Sequence, residues 1–182
     1  MAGNSLATWV VAACVLVAIA CGRRHDLNYD NRFAHLAQQR DSLEQLARDL
    51  RAYRRIRSMS SGERRFEVLN GTLIADDSSE VSTDPGPNLA PIYPLMAVLA
   101  RDSVSPTAHA TFRQRLARTG YIEVELADTY TAFMHDGFVD NANGYLWVEP
   151  GAETPEIGGA LLGGRLVGID PVEERWFYVA ID

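Results

Sequence analysis

Four histidines, His25, His35, His109 and His135, are the side chains of this 182-residue protein that titrate near neutral pH and could move protons or hold a metal ion. None has a second histidine or a well-placed carboxylate at the spacing that brings two ligands to one ion, so no metal centre is expected. The densest polar cluster is HDGFVD, with His135, Asp136 and Asp140 within six residues. Gly137 and the following DNANG read as a hairpin end, and DNANG lacks the alternating oxygen ligands of a calcium loop. Glu123 and Glu125 would stand roughly 7 Å apart on one face of a strand, a pairing suited to acid–base work on a sugar. A hydrolase using His135, Asp136, Glu123 or Glu125 is therefore one reading of the chain. The common serine-nucleophile motifs and every lysine-dependent mechanism are missing. No Gly-x-Ser-x-Gly occurs, and all seventeen basic residues are arginine, which removes Ser–Lys dyads, Schiff bases and the phosphate-loop lysine. Gly158-Gly159 and Gly163-Gly164 run into a strand where a phosphate loop needs a helix, so no cofactor is expected.

A binding chemistry is suggested by strand alternation, which sends successive side chains to opposite faces. One face would carry Ile122, Val124, Leu126, Leu146, Val148, Val167, Ile169, Phe177, Val179 and Ile181 and meet the helices. The other would carry Tyr121, Glu123, Glu125, Tyr145, Trp147, Trp176 and Tyr178. Aromatic planes beside carboxylates suit the stacking of sugars or the holding of a cationic group. The competing reading is that an arginine-rich helix covers these rings.

The elements that position these residues follow from periodicity. Leu36, Leu43, Leu46, Leu50 and Tyr53 recur at three- and four-residue steps and predict a helix from about Asn31 to Arg57, ended by SMSSG. Its stripe serves a coiled-coil seam, an anionic membrane surface or packing on the domain that follows. Asn70-Gly71 between two β-favouring runs predicts a hairpin, and residues 76–91, acidic and rich in Ser, Pro and Gly, a mobile loop. Two short helices follow, Ile92–Arg101 and one capped by Ser105 with Pro106 at its first position. Strands are expected at 121–126, 129–135, 145–149, 165–169 and 175–181, with turns at Asn143-Gly144 and Asp170-Pro171 and a flexible connection over 150–164. The expected fold is α+β: a long N-terminal amphipathic helix and two short helices packed on a mainly antiparallel sheet of about five to seven strands.

Charge and cysteine usage bear on location. Residues 23–65 hold eleven arginines against six acids, whereas the whole chain carries −7, which argues against a nucleic-acid binder. Leu6–Ala20 is fifteen residues without a charge, short for a membrane span and typical of a signal peptide. The only cysteines are Cys14, inside that run, and Cys21, directly after it.

Ala18-Ile19-Ala20-Cys21 resembles the lipobox of bacterial lipoproteins. The resemblance implies that the Cys21 sulfur is acylated, that the chain is cut just before it and that Cys21 becomes the first residue. Gly22 after the cysteine implies the outer membrane where one exists. The residues also admit a signal anchor with a cytoplasmic domain, favoured by Arg23 and Arg24 after the apolar run, or a plain secretory signal. The expected organisation is a signal peptide at 1–20, a lipid-anchored tether at 21–30, the arginine-rich helix at 31–62 and one α+β domain at 63–182. Its partners would be the membrane, through the lipid, and a protein or envelope glycan.

Overall fold

The computed structural model describes residues 34–62, 67–76, 80–84, 90–136, 142–161 and 164–182. The signal-like segment, Cys21 and the proposed tether lie outside the described residues. The chain divides into two compact units, residues 1–40 and 41–182. Helix α1 covers residues 34–53. It stops at Tyr53, short of the predicted Arg57, where Arg54 takes a left-handed conformation (φ 60°). Ser58–Ser60, within the SMSSG stretch expected to end the helix, form strand β1, which pairs with strands that follow and so joins the sheet ahead of residue 63.

The architecture is α+β. After β1 come β2 (Glu67–Leu69), β3 (Thr72–Ala75), β4 (Ile92–Pro94), α2 (Leu95–Arg101), α3 (Pro106–Arg118), β5 (Glu123–Leu126), β6 (Tyr130–Asp136), β7 (Ala142–Val148), β8 (Ala160–Leu161), β9 (Gly164–Glu173) and β10 (Trp176–Ile181). The strands form one mixed sheet in the order β4-β3-β2-β1-β5-β6-β7-β10-β9-β8. All pairs are antiparallel except β3 with β4. Among the described residues the sheet thus has ten strands rather than five to seven. The excess comes from short pieces, β1, β4 and β8, in segments whose local pattern reads as a helix end, a helix start and a linker.

Local chemistry explains the elements that match their expected positions. The β2–β3 turn is Asn70-Gly71, with φ of 50° and 73°, the left-handed pair that a tight hairpin requires. The Asn70 side chain reinforces it, accepting from the Arg57 N–H at 2.7 Å and donating to the Arg55 carbonyl and the Asp102 carboxylate. Helix α3 begins as expected, Ser105 Oγ accepting from the Ala108 N–H and Pro106 occupying the first turn. The Ser105 N–H itself donates to the Tyr53 hydroxyl at 2.8 Å, joining the end of α1 to the start of α3.

Two expected turns are strand interior. Asn143-Gly144 lies within β7, opposite the Met134–Asp136 register shift. A Cβ at Gly144 would collide with the Phe133 carbonyl oxygen, so glycine serves close strand approach there and not a reversal. Asp170-Pro171 lies in β9, beyond its short pairing with β8, where an outer-edge proline is tolerated. The reversal between β9 and β10 is Glu174-Arg175, with Arg175 at φ 67°.

Both faces of the sheet carry buried side chains. Ala132, Met134, Leu146, Val148, Leu161, Leu166, Val179 and Ile181 form one aliphatic cluster, to which the 150–161 connection adds Ala152 and Leu161. Of the 76–91 loop, the described part includes Ser82, which exchanges two backbone hydrogen bonds with Ile92. No helix among the described residues is long and apolar enough to cross a membrane.

Candidate functional site

The five rings expected on an open ligand face are core residues. Tyr121 is 0 % exposed, Trp176 and Tyr145 1 %, Trp147 4 % and Tyr178 8 %. Tyr121 packs edge-on against Phe133 and Tyr145, Tyr145 against Tyr178, and Phe133 stacks on Trp176. Burial accordingly pushes the Tyr121 phenol far above its ordinary 10. Helix α1 covers this side: Trp176 Nε1 donates to Glu44 Oε1 at 3.2 Å, and Arg51 donates to the Tyr130 carbonyl and to Thr131 Oγ1. Arg51 Nε also forms an ion pair with Glu149 Oε1 at 2.5 Å, without hydrogen-bond alignment. Helix α1 therefore takes the aromatic face, as in the competing reading of the sequence, while Ala152 and Leu161 of the 150–161 connection pack on the aliphatic face that was expected to meet the helices.

Glu123 and Glu125 do not share the face of the tryptophans. Their cross-strand partners are Met134 and Ala132, members of the aliphatic cluster, while Val124 pairs with Phe133 on the aromatic side. The alternation fails because Tyr121 lies outside β5, so counting through it inverts the strand's phase. Glu125 instead acts on Tyr130, whose phenol is raised first by burial and then by that carboxylate. The side chains of His135 and Asp136, with Asp140, lie outside what is described. No group of His, Cys, Asp and Glu able to hold a metal occurs among the described residues.

A different cluster forms a concave site. Ser61, from the segment after β1, Leu95, Met96 and Leu99 of α2, and Pro106, His109, Ala110, Arg113 and Gln114 of α3 line a cleft of about 380 Å³. The α3 members repeat at three- and four-residue steps and so share one helix face. His109 is buried; burial first, then the Arg113 guanidinium, hold it below its ordinary 6.5, with Asp76 opposing. Arg113 is fixed on three sides. Its Nε donates to the Ser61 carbonyl at 3.4 Å, Nη1 to Asp76 Oδ2 at 3.1 Å and Nη2 to Glu67 Oε1 at 2.5 Å. Glu67 is nevertheless raised above 4.5, chiefly by burial, with Asp76 adding to the rise against Arg113. Gly62 (φ 92°) makes this possible, because a Cβ there would occupy the space of the guanidinium. Ser61 is 5 % exposed, and its Oγ is buried without a hydrogen-bond partner.

The cleft was not among the sites expected from sequence. The available signal was the 106-109-110-113-114 stripe of small and polar residues beside the buried pair Phe112 and Leu116. Nothing in the sequence brings Ser61 to it. No protein-family model, curated protein or solved structure matches the chain.

Proposed function

We propose that this protein is a bacterial envelope lipoprotein, held to the membrane by a lipid on Cys21, whose folded domain is a non-catalytic binding or assembly module. The observation that carries the reading is the placement of Cys21 immediately after a charge-free run of fifteen residues, with no cysteine in the remainder of the chain. That run is too short to be a comfortable span and ends in the small residues that a lipoprotein signal presents. The binding role is supported by a preformed cleft with an apolar wall and a few polar groups, the usual character of a ligand site. It replaces the aromatic–acidic sheet face as the place of contact, since those rings serve the core.

Metabolic labelling with an alkyne-tagged fatty acid tests the anchor. The expected result is label on the wild-type protein and none on Cys21→Ser, which should also leave the membrane fraction. Equal labelling of both proteins, or none on either, rejects the lipoprotein reading.

A further inference from the structure

We propose that the corner formed by Arg54, Arg55 and Arg57 is a docking surface for anionic phospholipid headgroups, which holds the folded domain against the membrane that carries its anchor. The inference rests on the membrane-anchored reading of the chain. Most arginines of the described domain are already engaged. Arg48 pairs with Glu44, Arg51 with Glu149, Arg101 with Asp102, Arg113 with Glu67 and Asp76, and Arg115 with Asp49. Arg175 lies over the Trp147 ring. Arg54, Arg55 and Arg57 differ: all three are exposed, and none meets a carboxylate among the described residues.

The fold holds these three in place. Arg54 leaves α1 in the left-handed region (φ 60°), which glycine or asparagine takes more readily than arginine. Ile56 is 1 % exposed and seats the segment in the core, so Arg55 and Arg57 on either side of it turn toward solvent. Asn70 clasps the backbone from the β2–β3 turn, donating to the Arg55 carbonyl at 2.9 Å and accepting from the Arg57 N–H at 2.7 Å. A display fixed in advance needs little further ordering when a partner arrives. The neighbouring acids do not cancel it. Asp102 is held by Arg101 and Asn70. Glu125 stands opposite Ser58, which strand alternation turns away from Arg57. Asp128 lies two residues past Leu126, whose N–H donates to the Arg57 carbonyl, and offsets one charge of three.

The rest of the molecule selects the partner. The whole chain carries −7, so an anionic surface is repelled except where the local charge is positive. With a screening length of about 8 Å at physiological salt, that local charge decides the contact and fixes its orientation. Three exposed arginines alone bind weakly, and a partner already at high effective concentration makes them sufficient. The lipid on Cys21 supplies such a partner in the bilayer surface. Thirteen residues run from Cys21 to Phe33, ahead of α1. Fully extended they reach about 45 Å, more than the roughly 30 Å length of α1, so the corner comes within reach of the headgroups.

The test is arginine footprinting of the full protein, purified from membranes with its own N-terminus. It is reconstituted in vesicles of phosphatidylcholine, alone or mixed with phosphatidylglycerol. Phenylglyoxal marks accessible guanidinium groups, and peptide mass spectrometry reads each arginine separately. Arg165 is the reference, exposed on β9 and five strand steps from β1, about 24 Å across the sheet. Phosphatidylglycerol should slow modification of Arg54, Arg55 and Arg57 about fivefold or more relative to Arg165, and high salt should erase the difference. In the double variant Arg54→Gln, Arg57→Gln, the remaining Arg55 should lose its protection, each arginine being worth about fivefold in the docked-to-free ratio. Arg54→Lys with Arg57→Lys should keep Arg55 protected, because a headgroup surface reads charge and not the planar fork of a guanidinium. The proposal is overturned if phosphatidylglycerol slows none of the three, if Arg165 is slowed equally, or if the lysine pair loses protection as the glutamine pair does. It is also overturned if polyglutamate protects the corner on phosphatidylcholine vesicles while phosphatidylglycerol does not, which would assign it to an acidic protein. Footprinting is done on protein already seated in the vesicles, so a failure here leaves acylation of Cys21 to its own measurement.

Discussion

Trp176 of the last strand donates its indole N–H to Glu44 of the first helix at 3.2 Å, across 132 residues of sequence. The contact fixes which face of the sheet the helix covers. It also explains why rings that look like a ligand platform in the sequence are buried: Trp176, Phe133, Tyr145 and Tyr121 form a continuous aromatic layer beneath α1.

Removing that ring should therefore cost folding, not recognition. Trp176→Ala is expected to lose about 3–5 kcal/mol in urea unfolding, the usual cost of deleting a buried aromatic side chain. Glu44→Gln keeps an acceptor for the indole and should lose no more than about 1 kcal/mol. If Trp176→Ala unfolds at the wild-type midpoint, the aromatic layer is not the core described here.

Gly144 and Gly71 separate two uses of glycine. At Gly144 a methyl group would run into the Phe133 carbonyl and the Met134 backbone, so Gly144→Ala should destabilise by about 1–3 kcal/mol through strand displacement. At Gly71 nothing lies within 4 Å of the added carbon, and only the left-handed backbone (φ 73°) resists it, at about 1 kcal/mol. Thermal unfolding of both variants checks the order, and a milder effect at Gly144 would contradict the β6–β7 register.

The parts of the fold visible in the sequence are those governed by local chemistry. Asn70-Gly71 supplies two left-handed positions, and Ser105-Pro106 supplies a cap and a first turn; both work without reference to distant residues. What stayed hidden depends on long-range choice. Alternation tells which residues of β7 and β10 share a face, and leaves both sides, that of Trp176 and that of Val179, open to α1. Tyr121 lies ahead of β5, and a strict alternation that runs through it places Glu123 and Glu125 on the opposite face from the one they occupy. The candidate cleft was hidden for the same reason, since Ser61 and His109 lie 48 positions apart and meet at one surface through the pairing of β1 and the docking of α3.

Ser61→Ala carries a stability signature opposite to that of most core substitutions. Its oxygen is buried and bonded to nothing, so deleting it should leave the free domain unchanged or stabilise it by about 1 kcal/mol. Thr119→Val, which removes a hydroxyl donating to the Leu116 carbonyl at 2.6 Å, should destabilise by about 1 kcal/mol. A clear loss of stability in Ser61→Ala would mean that the hydroxyl has a partner in the free protein.

His109 should leave a mark on the pH dependence of stability. Burial and Arg113 depress its pKa in the folded state, Asp76 opposing, while the unfolded chain takes up the proton near 6.5. As pH falls below 6.5 the unfolded state gains a proton that the folded state refuses, so stability present in full above 6.5 is lost progressively toward the folded pKa. Glu67 works in the other direction, its raised pKa giving stability that fades as pH rises above 4.5. In a Glu67→Gln background, which removes that opposing slope, His109→Gln should flatten the decline below pH 6.5. An unchanged slope in urea midpoints would show that the imidazole is not buried neutral.

A lipid-anchored domain requires a processed, acylated cysteine, and the mass of the N-terminus of the membrane-purified protein reads that modification. The prediction is a chain that begins at Cys21 and carries acyl mass on that residue. A chain that still begins at Met1 would make the apolar run an anchor and place the domain with cytoplasmic partners. A bare N-terminus near residue 21, without acyl mass, would mean a secreted domain and would contradict the anchoring altogether.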